Sequence, residues 1–177
     1  MATTAKVRYE TKADKQRQRD VVADMYEGRD VTIEHTEGRY AIVDTLVTGE
    51  GFRHLIEVKH RGIADPRYTL SFFKERGYWI SMQKITGLTD KAFFKGALPI
   101  LAVATFDRYL MAIDARRIKD VAGTTTMKRN DRENEYREAA WEIWPRDMAV
   151  WPRDIIREYP PSAWNTWTDY GPRRFTT

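Results

Sequence analysis

Three short segments rich in β-branched and aromatic residues follow one another from Asp30, and they constrain the fold of this chain more than any other feature. They read VTIEH, RYAIVDTLV and FRHLIEVKH, and the stretches TEGR and TGEG separate them. Short apolar segments joined by glycine-containing turns are typical of antiparallel strands. The sequence therefore predicts a three-stranded meander over residues 30–60.

Helical patterns lie on both sides of this meander. Residues 11–27 predict a helix, because Thr11 and Asp14 have the spacing of an N-terminal capping box and Gly28 ends the pattern. Residues 81–95 carry apolar side chains at helical spacing, and the apolar segments ALPILAVATF and RYLMAIDA that follow are predicted strands. The stretch YTLSFFKERGYWI is ambiguous between helix and strand. The predicted order is α-β-β-β-α-β-β, an α/β fold.

The pattern changes beyond residue 115, which predicts a core over residues 1–115 and a C-terminal extension over 116–177. The extension is polar at first, with a short helix predicted from Asp131 to Trp144, and then repeats Trp-Pro-Arg-Asp at 144–147 and 151–154. Trp and Pro at this spacing are typical of an extended segment that packs on its own core or on a partner subunit. Stacking of these aromatic rings on unpaired bases is the alternative.

Composition limits the chemistry that the chain can carry. It has no cysteine and three histidines, which excludes disulfides and thiol catalysis and leaves oxygen atoms as the main ligands for any metal. No apolar run approaches the roughly 20 residues that span a bilayer, and the N-terminus lacks the apolar stretch of a secretory signal. We expect a cytoplasmic protein without a membrane segment. A net charge of +4 fits either general solubility or a polyanionic partner.

Charged residues follow two of the predicted strands at the point where each strand ends. Asp44 ends YAIVD, and Glu57-Val58-Lys59 ends LIEVK. Residues two apart in a strand share a face, so Glu57 and Lys59 lie together, and Asp44 joins them if the hairpin pairs the strand ends. Charges among apolar neighbours are costly unless they pair or bind a cation. An acid at a strand end is also common on solvated faces.

Two carboxylates, the Val58 carbonyl and water would supply the oxygen ligands that Mg²⁺ prefers. Lys59 would then polarise or deprotonate an attacking water. Residues 44 and 57–59 therefore predict a magnesium site.

The sequence resembles the PD-(D/E)xK nuclease superfamily, especially archaeal-type Holliday-junction resolvases and small phage and repair nucleases. The resemblance covers residues 10–115 and rests on VD at 43–44, IEVK at 56–59, YWISMQK at 78–84 and LPILAVATFDRYLMAID. It implies a restriction-endonuclease-like core, with a mixed central sheet flanked by helices. It also implies that Asp44 and Glu57 bind Mg²⁺, for which Mn²⁺ can substitute, that Lys59 is catalytic, and that the chain forms a homodimer on DNA.

The family usually adds an acid from the first helix, and this sequence departs from that pattern. Gln18 stands where the acid is expected, so Gln18 is predicted to orient a water or a metal-bound ligand, unless Asp14 takes that place. Gln83 and Lys84 correspond to polar positions of the second helix that face the site in relatives, and Lys84 is predicted to contact the scissile phosphate. For each of these residues, a purely structural or solvated role is the alternative.

Positively charged side chains surround the predicted site, as contact with a phosphate backbone requires. The residues predicted to bind nucleic acid are Arg53, His60, Arg61, Arg67 and Gln83. With no separate sequence-reading motif, the expected activity is a metal-dependent endodeoxyribonuclease that selects branched or junction DNA by its structure. The alternatives are a noncatalytic nucleic-acid-binding or interaction module on the same fold, and an RNA-directed nuclease.

Overall fold

Two β-sheets flanked by helices make up the described part of the chain, which in this computed structural model comprises residues 11–36, 44–60, 65–128 and 137–154. The helices are α1 (Lys12–Met25), α2 (Leu70–Arg76), α3 (Met82–Lys95) and α4 (Ile118–Val121). The strands are β1 (Val31–His35), β2 (Asp44–Gly49), β3 (Phe52–Lys59), β4 (Tyr78–Ser81), β5 (Leu98–Ala104), β6 (Tyr109–Asp114), β7 (Gly123–Lys128), β8 (Arg137–Ile143) and β9 (Ala149–Pro152). None of the described helices is long and apolar enough to cross a membrane.

The first helix begins as its capping pattern predicts. The Thr11 hydroxyl accepts a hydrogen bond from the Asp14 backbone amide at 3.1 Å, and the Asp14 carboxylate accepts one from the Thr11 amide at 2.9 Å. This reciprocal capping box satisfies two amides that the first turn would otherwise leave without partners. The inward face of α1 buries Gln18, Val21, Val22 and Met25.

The meander is also present, with β1, β2 and β3 paired antiparallel in that order. Gly51, with φ of 76°, lies in the tight turn between β2 and β3, where a backbone conformation that favours glycine is needed. The second predicted strand is described only from Asp44 onward, since residues 37–43 lie outside the described part. Residues 44–59 therefore form the hairpin that carries the predicted site.

The central sheet is mixed, as expected. Its six strands run in the order β1-β2-β3-β5-β6-β9, and β5 lies parallel to β3 while the other neighbouring pairs are antiparallel. A parallel pair requires a long crossover, which α2, β4 and α3 provide here. Almost all of β5 is buried, which explains why its sequence is continuously apolar. The main core lies between this sheet and its helices.

The ambiguous stretch before α3 contains both a helix and a strand, so α2 and β4 extend the predicted element order. The Thr69 hydroxyl caps α2 by accepting from the Phe72 amide at 3.2 Å, and Asp107 accepts from the Leu70 amide at 3.0 Å. The helix ends at Gly77, whose φ of 68° suits glycine. The aromatic residues of this stretch suit a helix or a strand, so the local sequence alone is ambiguous. The hydrogen bond from the Leu70 amide to Asp107 joins distant parts of the chain and depends on tertiary structure.

The predicted helix from Asp131 to Trp144 is wrong over its described residues. Residues 137–143 form β8, the middle strand of the second sheet, whose order is β4-β8-β7. Alanine and glutamate in this segment favour a helix locally, but pairing on both sides satisfies the backbone of β8 as a strand. The small sheet thus connects residues before α3 with residues beyond α4.

The second copy of Trp-Pro-Arg-Asp joins the extension to the central sheet. Trp151 and Pro152 belong to β9, which pairs with β6, and the Arg153 amide donates to the Arg108 carbonyl at 2.8 Å. The Arg153 side chain also forms an ion pair with Asp24 near the end of α1, with Nε at 3.1 Å from the carboxylate. The predicted domain boundary between residues 115 and 116 stays a prediction.

Candidate active site at the end of strand β3

A buried ion pair occupies the end of β3. The Lys59 ammonium donates to Glu57 Oε1, and the two side chains are 17% and 5% exposed. Both residues lie on one face of the strand because they are two positions apart. Burying two charges is favourable only if they satisfy each other or a further ligand, so this pair is a costly arrangement for structure alone.

Side chains alternate between the two faces of β3, and one of these faces lies toward the end of α1. Phe52 and His54 point toward Tyr26 at the end of α1, since the Tyr26 hydroxyl lies 2.7 Å from His54 Nδ1 and the Tyr26 and Phe52 rings stack 6.2 Å apart. Glu57 and Lys59 belong to the opposite face by the period of two. The charged pair therefore lies on the face of β3 turned away from Tyr26.

Two residues from the crossover approach Lys59. Tyr78 at the start of β4 and Lys84 in the first turn of α3 both interact with its ammonium. Burial lowers the pKa of Lys59, but the negative charge of the Glu57 carboxylate raises it more, so that the pKa lies above the ordinary 10.5. Lys59 therefore carries a full positive charge at neutral pH. Two ammonium groups and one carboxylate converge here.

The strand register places Asp44 beside this group. Asp44 and Glu57 are direct partners in the antiparallel β2–β3 ladder, a relation that puts two positions on the same sheet face. The Asp44 side chain is outside the described part, so the predicted sharing of one Mg²⁺ by Asp44 and Glu57 stays a prediction. The predicted third ligand, the carbonyl of Val58, belongs to a residue that is 2% exposed and pairs with Ala102 in β5.

One oxygen atom of Glu57 fits the binding of a divalent cation. Glu57 Oε2 is buried and accepts no hydrogen bond from any described residue. A carboxylate oxygen left this way inside a protein needs a donor, a water or a cation. Within the described ranges, no three histidine or acidic side chains cluster as a ligand set. Any cation here would accordingly depend on Asp44 and on water as well as on Glu57.

The first-helix candidates lie toward the other face of β3. Gln18 is buried on the inward side of α1, the helix that ends against His54. The Thr11 backbone amide lowers the pKa of Asp14 by hydrogen bonding, and His60 and Arg17 lower it further by their charge. The charge of His60, which follows β3, therefore acts on Asp14. A site role for Gln18 stays a prediction. It requires the Gln18 side chain to reach past the end of β3 to the face that carries Glu57 and Lys59.

The predicted nucleic-acid-binding residues are dispersed, and Arg53 lies at the opposite end of β3 from Lys59. Arg53 is exposed near the start of β3 and Gln83 is exposed on α3, whereas Arg61 lies outside the described residues. Arg67 is exposed and forms a bidentate ion pair with Asp65, and these hydrogen bonds lower the pKa of Asp65 to about 2. Arg67 can contact a phosphate only in competition with Asp65.

Tyr78 is the site residue that the sequence analysis did not identify. Its interaction with Lys59 depends on the crossover between β3 and β5 that carries β4, which local sequence does not specify. The only sequence signal is that Tyr78 opens YWISMQK, the segment that already carried part of the family resemblance.

Comparisons with known proteins show a distant structural likeness to an archaeal resolvase. No protein-family model matches the sequence, and no curated protein matches it. The structure is similar to that of Archaeoglobus fulgidus Hjc, a Holliday junction resolvase from an archaeal hyperthermophile, with 14% identity over 71% of this chain and 86% of that one and a TM-score of 0.45. This is the type of protein that the sequence resemblance names.

Proposed function

We propose that the chain is a metal-dependent endodeoxyribonuclease that hydrolyses phosphodiester bonds. The observation that carries this proposal is the buried Glu57–Lys59 pair, with one Glu57 oxygen lacking a hydrogen-bond donor among the described residues and Asp44 opposite Glu57 in the register. A purely structural ion pair would be expected to use both carboxylate oxygens. The preference for branched or junction DNA rests on the sequence resemblance.

Each residue has a defined part in the proposed mechanism. Glu57, with Asp44 and the Val58 carbonyl, would hold Mg²⁺ or Mn²⁺ through oxygen atoms. When bound, that cation supplies Lewis-acid polarisation of the phosphate and acidifies water. Lys59, released from Glu57 Oε1, stabilises the negative charge that develops on the phosphate oxygens. Lys84, beside Lys59, adds a second positive charge at the same place, and Tyr78 positions the Lys59 ammonium.

A cleavage assay tests the proposal. Linear duplex, branched and single-stranded DNA would be incubated with the protein in Mg²⁺, Mn²⁺ or EDTA. We expect cleavage with either metal, none in EDTA, and none by Glu57→Gln, which keeps the shape of the side chain and removes the charge. Glu75→Gln, an exposed acid on α2, is the matched control and should cut normally.

The alternative proposal is a noncatalytic nucleic-acid-binding module on the same fold. It is favoured by the position of α1, whose buried polar residue Gln18 replaces the usual acid and lies toward the other face of β3. A wild-type protein that binds branched DNA but cuts no substrate in either metal would support this alternative and refute the nuclease proposal.

A further inference from the structure

An aromatic surface lies on the small sheet, on the face of β4 opposite to Tyr78. Trp79 in β4 is 47% exposed, and its indole Nε1 donates to Glu142 Oε1 in β8 at 2.9 Å. Trp79 and Glu142 are direct partners in the β4–β8 ladder, so their side chains share a sheet face. The hydrogen bond fixes the orientation of a ring whose face remains open to solvent.

A second ring continues this surface. Trp144 follows β8 in extended conformation and is two residues from Glu142, which places it on the same face as Trp79. It packs over Gly77, where an added Cβ would lie 3.6 Å from Trp144 Cε2 and 3.2 Å from Glu142 Cγ. The guanidinium of Arg146 lies over the Trp144 ring, 5.4 Å from its centroid. We call Trp79, Glu142, Trp144 and Arg146 the tryptophan surface.

This surface is connected with the candidate site through one strand. Tyr78, which interacts with Lys59, immediately precedes Trp79 and has its side chain on the other face of β4. In the described part of the small sheet, β4 is an edge strand, so no further strand separates its two faces on that side. A flexible single strand bends around such an edge more easily than a rigid duplex does.

The charges on the surface indicate which part of a nucleic acid it suits. Glu142 and Asp147 carry negative charge beside the rings and disfavour phosphate there, while the Arg146 side chain is 79% exposed. The exposed Trp79 ring can stack on an unpaired base, and the Arg146 guanidinium that covers Trp144 can stack in the same way. Bases, more than backbone, match this combination of groups.

We propose that the tryptophan surface stacks unpaired bases of the nucleic acid whose phosphate lies at Lys59, so that it favours substrates with a single-stranded segment next to the cleaved bond. This inference rests on the proposed function, because it assumes a nucleic acid at the Glu57–Lys59 site. It extends that function by giving a physical origin for structure selectivity.

Binding in EDTA tests the inference separately from cleavage. The affinity of a fluorescein-labelled oligothymidine and of a blunt duplex of equal length would be measured by anisotropy. Loss of one stacked base predicts that Trp79→Ala binds the single strand about tenfold more weakly. Binding of the duplex should change little, and Trp79→Phe should restore most of the affinity.

Control variants keep the result interpretable. Phe94→Ala removes an aromatic ring that is 85% exposed at the far end of α3, and it should leave binding unchanged. If Trp79→Ala lowers Tm, Arg146→Gln tests the same surface from a largely exposed side chain, and about threefold weaker binding of the single strand is expected.

Three outcomes overturn the inference in distinguishable ways. Equal losses on single strand and duplex would show that Trp79 supports the fold or a phosphate contact. Unchanged affinity in Trp79→Ala and Arg146→Gln, in a protein that still cuts DNA, would refute base stacking and leave the nuclease proposal standing. A wild type that neither binds nor cuts any nucleic acid would remove both.

Discussion

At the scale of single residues, the candidate site depends on an exchange of partners by Glu57. In the structure its carboxylate is shared with Lys59, whereas the proposed reaction needs the same carboxylate to hold a cation. The two oxygens are occupied differently, since Oε1 accepts from Lys59 and Oε2 accepts no hydrogen bond from a described residue. A cation at Oε2 would weaken the attraction of the same carboxylate for Lys59, which favours a shift of the Lys59 ammonium toward the phosphate.

Lys59→Ala tests this exchange. The variant keeps both carboxylates but loses the cation that stabilises developing charge, so we expect a fall in cleavage rate of about 10²-fold or more with a smaller change in DNA affinity. Because the competitor for Glu57 is gone, Mg²⁺ should bind more tightly, which calorimetry would measure. Lys95→Ala, at the exposed end of α3, is the control. Wild-type cleavage by Lys59→Ala at saturating Mg²⁺ would contradict the mechanism.

Asp14 gives a pH-dependent prediction at the same scale. Hydrogen bonding to Thr11 lowers the pKa of Asp14 below 3.8, so the ionised carboxylate stabilises the folded state above that pH and this contribution is lost as pH falls through the lower folded value. At pH 7, Asp14→Asn should unfold at a lower urea concentration than the wild type, because its free energy of unfolding should be smaller by about 1 kcal/mol. This difference in unfolding free energy should narrow toward pH 2. A gap of constant size would show that the charge of Asp14 has no part in capping.

At the scale of secondary-structure elements, local signals predict some features and tertiary pairing decides others. The capping box of α1, the β2–β3 hairpin and the helix over 82–95 follow from patterns within the segment. In contrast, β8 contradicts its local helix propensity because β4 and β7 pair with it from distant parts of the chain. The hydrogen bond between Trp79 and Glu142 joins residues 63 positions apart, beyond the reach of any local pattern.

The residues of the candidate site also divide into those that local sequence predicts and those that tertiary structure brings to the site. Glu57 and Lys59 could be predicted because strand alternation alone puts them together, and the hairpin register could place Asp44 opposite Glu57. The positions of Tyr78 and Gln18 depend on which face of β3 each crossover or helix covers. Side-chain spacing within one segment contains no information on that choice.

Gly77 provides an element-scale prediction, because the α2–β4 junction requires glycine for two reasons. Its φ of 68° and ψ of 173° are nearly inaccessible to other residues, and a Cβ would crowd Glu142. Gly77→Ala should lower the free energy of unfolding by about 1–3 kcal/mol. Gly28→Ala is a useful comparison, since its φ is 73° but no atom lies within 4 Å of an added Cβ. Equal losses in urea denaturation would show that crowding at Gly77 is unimportant.

At the scale of the whole molecule, the extension is bound to the core at both of its Trp-Pro-Arg-Asp segments. The first lies beside α2 and the small sheet, and the second joins β6 and α1 through Trp151 and Arg153. The sheet that carries Glu57 and the end of α1 are therefore held by residues far downstream in the chain. We expect stability and assembly, more than chemistry at one phosphodiester, to depend on this segment.

Deleting residues 146–177 tests that expectation. Removal of β9 exposes apolar surface now covered by Trp151, which is 8% exposed, and should cost about 3 kcal/mol or more of unfolding free energy. A chain that ends at Asp154 separates the contribution of β9 from that of residues 155–177. Light scattering on each chain would also test the predicted homodimer. Unchanged melting and mass with a loss of DNA affinity much larger than that of Arg146→Gln would instead favour a stacking role for the residues that follow Arg146.

The pairing of β9 with β6 has a further consequence for solubility. Tyr109–Asp114 is an apolar, almost fully buried strand, and without β9 its free backbone amides and carbonyls would face solvent along one side. Such a strand is a template for intermolecular β-pairing and aggregation. The outer strand β9 has four residues and ends in Pro152, which cannot donate to another chain. By covering β6, strand β9 thus also opposes aggregation of the protein at high concentration.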